Sequence, residues 1–200
     1  MKEIRLYDYQ KEMMGKIDTA FKSCQSVMVQ MPTGTGKTVL LAEQVKREER
    51  RVKNPCVWIV VHRRELVEQI RETLETMLNC SSSTPDTTAS LLSDDSRIKV
   101  MSIQWLSRHY QGMEKMPSLI VIDEAHHAVA KTYKEVMDAF PKAKKLGLTA
   151  TPCRLTRRGF TDLFDVLLQS WSAKKFIADG WLSLYDYMSI REDSEDWRLV

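Results

Sequence analysis

Residues 31–38, MPTGTGKT, set two glycines, three threonines and a lysine between two apolar segments. A loop of this kind between a strand and a helix is an anion site. Backbone N–H groups converge on one point there, and the helix dipole adds partial positive charge. Gly34 and Gly36 can take backbone conformations that other residues resist, so phosphate oxygens can approach closely. Lys37 can reach the β- and γ-phosphates of a nucleotide, and the Thr38 hydroxyl can ligate Mg²⁺. The strict pattern G-x-x-x-x-G-K-[ST] asks for glycine at position 31, where this chain has Met31. Gly36, Lys37 and Thr38 still supply the cradle. The competing reading is a plain turn with an incidental lysine, and a second cluster argues against it. The stretch SLIVIDEAHH ends an apolar run on Asp123 and Glu124. In a parallel sheet the carboxyl ends of the strands face the crevice that holds such a loop. Asp123 can then hold Mg²⁺, directly or through water, while Glu124 orients and deprotonates an attacking water. A polar strand end meeting solvent explains one acid, but not two beside a phosphate loop. The pair predicts ATP or a similar triphosphate with Mg²⁺.

The elements that must position these residues alternate along the chain. Apolar, β-branched runs at 26–30, 56–62, 98–103, 118–123 and 146–149 predict strands. Between them, 38–53, 65–78, 104–110 and 131–140 carry helical periodicity. Near-continuous apolar strands such as CVWIVV and LIVID predict burial on both faces, as in a parallel sheet covered by helices. The alternation implies a doubly wound α/β domain. Residues 80–96, CSSSTPDTTASLLSDDS, read as a long surface loop. Past Leu182 the chain reads as one strand and then a charged tail.

Composition excludes several classes. With 43% apolar and 28% charged residues in 200, the chain is of ordinary globular type. The net charge of +3 is compatible with a nucleic-acid partner without requiring one. No apolar run is long enough to cross a bilayer, and the MKEIRLYDYQ start lacks the apolar core of a signal peptide. Cys24, Cys56, Cys80 and Cys153 are scattered and form no C-x-x-C pair, which predicts inert thiols in a reducing, cytoplasmic setting.

MPTGTGKT, DEAH and LTATP, in that order, closely resemble motifs I, II and III of superfamily 2 helicases and translocases, the DEAD/DEAH-box group. LYDYQ resembles the upstream glutamine motif of that family, with Gln10 ahead of the first helix. VVHRRELVEQ resembles motif Ia, and VMSIQWL resembles a segment that other members use near nucleic acid. ATPCR, LFD and FIADGWLS are most similar to the bacterial branch of restriction-enzyme motor subunits and the repair helicase related to XPB. The resemblance runs from about residue 4 to 190 and implies the first RecA-like motor domain, with a P-loop NTPase fold. It implies that Gln10 reads the adenine edge and that Tyr7 stands where many relatives place a stacking arginine. Thr33, Gly34, Thr35, Gly36, Lys37 and Thr38 would cradle the phosphates. Thr149 and Thr151 would couple nucleotide state to the nucleic-acid side through hydroxyl hydrogen bonds to the acidic pair, and His126 would contact the interdomain or motif III region.

For nucleic acid, Arg63 and Arg64 follow a strand where a helix begins, so they and the helix amides could meet backbone phosphates. A solvated basic cluster neutralised by Glu65 and Glu68 is the alternative. Gln104 is a candidate of the same standing. Arg154, Arg157 and Arg158 could face nucleic acid, a second domain or solvent. The expected organisation is a RecA-like ATP-binding domain over 1–182, with 183–200 a linker or the start of a truncated second domain. The function this predicts is the ATP-binding half of a nucleic-acid helicase or translocase. DNA is favoured over RNA as the track, no membrane is involved, and a second RecA-like domain is required but missing from this chain. An RNA helicase domain, an idle P-loop module for protein interaction and a small-molecule kinase are the alternatives. Intact Lys37, Asp123 and Glu124 argue against the idle module, and the threonines of LTATP argue against the kinase.

Overall fold

The computed structural model describes residues 5–78, 96–128, 131–151 and 163–184. In chain order its elements are α1 (Asp8–Ala20), β1 (Ser26–Gln30), α2 (Lys37–Arg51), β2 (Val57–Val61), α3 (Glu65–Leu78), β3 (Ile98–Ser102), α4 (Ile103–His109), β4 (Leu119–Ile122), α5 (Lys131–Ala139), β5 (Lys144–Thr149), β6 (Val166–Gln169) and α6 (Ala173–Ala178). Short 3-10 turns lie at Tyr110–Gly112 and Ala125–His127. Six strands make one parallel sheet in the order β3-β2-β4-β5-β1-β6.

Alternate residues along each strand feed two separate cores, as the two-residue period of a strand requires. Val27, Val29, Val57, Ile59, Val121, Leu146 and Leu148 pack with Met13, Leu40, Leu74 and Phe176, so α1, α2, α3 and α6 cover one face. Met28, Trp58, Val60, Ile120 and Ile122 pack with Leu106, Val136 and Met137, so α4 and α5 cover the other. Burial on both faces explains why the central strands read as unbroken apolar runs. The fold is α/β and RecA-like, as predicted.

Several boundaries differ from expectation. The first helix begins at Asp8, so Gln10 lies in its first turn and not ahead of it. The reason is local: the Gln10 side chain reaches back to accept from Tyr7 N at 3.0 Å, and Lys11 N bonds Tyr7 O at 2.9 Å. Strand β5 starts two residues before the predicted 146, because Lys144 and Lys145 join the ladder opposite Leu119 and Ser26. Two charges at the lower edge of the sheet hid that start. Strand β6 and helix α6 were not expected. Stretch 80–96, Ser96 excepted, lies outside the described residues, as do Arg154, Arg157, Arg158 and chain beyond 184. Among the described residues no helix is long and apolar enough to cross a membrane.

Candidate nucleotide site and nucleic-acid edge

Strand register decides whether the two clusters meet. Gln30 pairs with Thr149 across β1 and β5, and Ile122 pairs with Gly147 across β4 and β5. The loop after β1 and the acidic turn after β4 therefore leave the same edge of the sheet, on either side of β5.

The loop is fastened from behind. Met31 N donates to Thr149 O at 2.9 Å, and the Thr35 hydroxyl donates to Pro32 O at 2.7 Å. From α1, the Tyr9 hydroxyl and Gln10 Nε2 both donate to the Thr35 carbonyl, at 3.2 and 3.1 Å. Gln10 is thus buried against the loop. Gly34 and Gly36 take φ of 83° and 84°, the left-handed region that a side chain resists. At Gly36 a Cβ would also lie 2.5 Å from Gln10 Nε2. Gly36 caps α2, so Lys37 and Thr38 open the first turn of that helix, half-buried, where its N–H groups point outward. Thr33 and Gly34 are exposed.

The acidic turn is built differently. Asp123 N donates to Val60 O at 3.0 Å, extending β4 by one bond. Glu124 then adopts φ 50°, ψ 51°, the one non-glycine residue with positive φ among those described. That left-handed step starts the 3-10 turn carrying His126 back toward β5. Gly147 allows the approach, since a Cβ there would stand 2.9 Å from the Ala125 Cβ. Burial raises the Asp123 carboxyl above its ordinary range, the Glu124 charge raises it further, and the Lys37 ammonium partly offsets both. The two clusters therefore sense each other electrostatically.

His126 joins the acidic turn to β5. Its Nδ1 lies 3.0 Å from Thr149 Oγ1 and 3.3 Å from Glu124 Oε2. Thr149 Oγ1 already donates to Thr151 O at 2.8 Å, so both neighbours of Nδ1 are acceptors and the proton sits on Nδ1. The expected threonine link to the acids thus passes through His126. Thr151 contributes its backbone, its N donating to Thr149 Oγ1 at 3.2 Å.

On the neighbouring strands, Arg63 and Arg64 are exposed at the entry to α3. Gln104 Nε2 donates to His62 O at 2.7 Å and ties α4 to the end of β2. The His62 ring stacks on His127 at 4.3 Å, and His127 lies 4.0 Å from His126. Burial, then His127 and Arg63, lower the His62 pKa. A continuous file of rings thus runs from beside Gln104 to Glu124, and nothing in the spacing of the sequence signals it.

The segment 171–182 was also missed as part of the site. Tyr9 meets Phe176 edge-on at 4.9 Å, and Trp181 sits 4.7 Å from Tyr7. Leu182 lies 3.2 Å from where a Gly34 Cβ would be. Tyr7 is 52% exposed, leaving much of the ring open. The string FIADGWLS was the available signal, and only as a resemblance.

A parallel sheet with a glycine loop after β1 and an acidic turn after β4 is a core of RecA-like fold. Residues 3–154 match the family described as type III restriction enzyme, res subunit, and the chain belongs to that family. It is 29% identical over 166 residues to a 51.5 kDa protein of Lactococcus phage (isolate 7-9), covering 82% of this chain and 32% of that protein. It is 30% identical to the DNA 3'-5' translocase XPB2 of Sulfurisphaera tokodaii, covering 83% of this chain and 35% of that protein. Among solved structures, the Sulfolobus solfataricus SWI2/SNF2 ATPase core in complex with dsDNA shares the fold with a TM-score of 0.66. Identity there is 16%, over 80% of this chain and 35% of the other. The chain spans about a third of the length of these relatives.

Proposed function

We propose that the chain is the ATP-binding half of an ATP-dependent helicase or translocase that moves on DNA. The observation that carries the reading is the shared edge: the glycine loop and the acidic turn flank β5, close enough for Lys37 to offset the raised Asp123 pKa. ATP would seat its phosphates over Thr33–Thr38, with Lys37 on the β- and γ-phosphates. Tyr7 would stack on the adenine, and Gln10, already fixed to the loop, would present its second N–H to the base edge.

Magnesium fits this site. Asp123 and Glu124 lie together without full compensation. One hydroxyl and one carboxylate completed by substrate phosphates is the arrangement this ion favours. Thr38 and Asp123 would hold it, and it would neutralise charge on the phosphates. Glu124, held by His126, orients and deprotonates the attacking water. His126 and Thr149 keep Glu124 aimed and couple it to the chain beyond β5. Arg63, Arg64 and Gln104 face the DNA. A second RecA-like domain would supply the cation that completes the transition state, and the compartment would be the cytoplasm. DNA is favoured because the named relative is a DNA translocase and the structural neighbour is a DNA complex.

The test is Lys37→Ala in this chain, read as ATP affinity by calorimetry. Losing a buried charged contact of this kind costs about 2–5 kcal/mol, so ATP binding should fall by at least roughly 30-fold. Unchanged affinity would refute the nucleotide reading.

A further inference from the structure

Among the described residues only four large apolar side chains stand exposed, Tyr7, Met116, Trp181 and Leu184, and two of them touch. The Tyr7 and Trp181 rings lie 4.7 Å apart at an angle of 55°, yet 52% of Tyr7 and 43% of Trp181 stay open to solvent. Rings so close and so tilted admit nothing between them. They are the two walls of an open corner, one at the start of α1 and one on the chain just past α6.

Both walls are held in place. Gly180 ends α6 with φ 75°, the left-handed residue of a Schellman cap, and Trp181 N and Leu182 N both donate to Phe176 O, at 2.8 and 3.2 Å. Phe176 is fully buried and meets Tyr9 edge-on, and Trp181 also meets Tyr9 edge-on, at 5.3 Å. The indole is therefore fixed by a backbone turn and by a buried ring. The corner also adjoins the glycine loop from both sides. Just past Tyr7, Tyr9 and Gln10 donate to the Thr35 carbonyl. Next to Trp181, Leu182 lies 3.2 Å from where a Gly34 Cβ would be. A neutral, flat-walled, half-wet corner beside a phosphate loop suits a planar heteroaromatic ring, which gains on an aromatic surface whatever its hydrogen-bond pattern.

We infer that Trp181 is a nucleobase-binding residue, the second wall of the site in which Tyr7 stacks on the adenine of ATP. The inference rests on the ATP reading above and adds to it a residue from the opposite end of the described chain. A base in this corner joins the start of α1 to the exit of α6, which are otherwise held together by ring contacts alone at this point.

Calorimetry on this chain tests it by comparing Mg-ATP with Mg-tripolyphosphate, which keeps the phosphates and lacks the base. Trp181→Ala should weaken ATP binding roughly five- to thirtyfold, the loss of one base–aromatic contact, and leave tripolyphosphate binding unchanged. Trp181→Phe keeps a ring and should bind ATP within about threefold of the parent. Fluorescence gives a readout that does not depend on the alanine variant folding. ATP should quench the tryptophan emission of the parent, tripolyphosphate should not, and the quench should shrink in Trp181→Phe. Equal ATP affinity in Trp181→Ala and the parent would overturn the inference. Equal losses for ATP and tripolyphosphate would overturn it too, making the indole a prop of the loop, as would a quench of undiminished size in Trp181→Phe. A parent that binds ATP and tripolyphosphate alike would keep the phosphate site and overturn the base wall. A parent that binds neither would instead be the failure of the nucleotide reading, and the inference would fall with it.

Discussion

The glycine loop and the acidic turn sit on either side of one strand and meet one conformational demand in opposite ways. Both need left-handed backbone. The loop meets the need with Gly34 and Gly36, at little cost, and spends its buried polar groups on Pro32, Thr35 and α1. The acidic turn takes the same conformation at Glu124, a residue that resists it by roughly 1–2 kcal/mol. It also carries a largely buried Asp123 carboxyl whose ionisation burial opposes. One region is relaxed and ready for a ligand. The other stores strain and uncompensated charge, which a bound cation would relieve. Such a contrast is expected where a site must hold its substrate before it acts on it.

Altering each side should have opposite consequences for stability. The larger effect belongs to the loop. Gly36→Ala forces a Cβ into left-handed backbone against Gln10 Nε2, costing at least about 1–2 kcal/mol. The melting temperature should drop by about 2–8 °C, and ATP affinity should fall with it. An unchanged melting temperature would mean that the loop is not held from α1 as described. The smaller effect has the other sign. Because Asp123 titrates above its ordinary value in the folded chain, its contribution to stability is intact below the ordinary carboxylate range. That contribution is lost as pH rises through the raised value. Asp123→Asn should therefore melt higher than the parent at neutral pH, by about 2–4 °C per kcal/mol relieved, and the gap should close in acid. A variant that melts lower at neutral pH would contradict the uncompensated charge.

The same contrast explains what could be read from the sequence. The loop was legible as a glycine turn between a strand and a helix, because Gly34, Gly36, Lys37 and Thr38 carry the residue types and spacing that phosphate binding would require. The central strands were legible because two-sided burial leaves no polar interruption. Asp123 and Glu124 follow β4 at the expected strand end, but the strain at Glu124 is a backbone fact that no residue type announces. The routing of Thr149 through His126 depends on the 3-10 turn, which four residues of sequence do not specify. Strand β6 was invisible for a different reason. It is four residues long and half-exposed at the sheet edge, and a run as short as VLL does not by itself tell a strand from a turn of helix. Arg63 and Arg64 carry no spacing rule at all, since an exposed arginine looks alike on a solvated face and on a phosphate track.

The central claim is that the relaxed loop binds and the strained turn acts, and Glu124→Gln divides the two. Glutamine keeps the size and backbone of the residue but cannot accept the water's proton. ATP affinity by calorimetry should stay within a few-fold of the parent, while ATP turnover falls by about 10²–10⁴-fold. Turnover that survives the substitution would contradict the account.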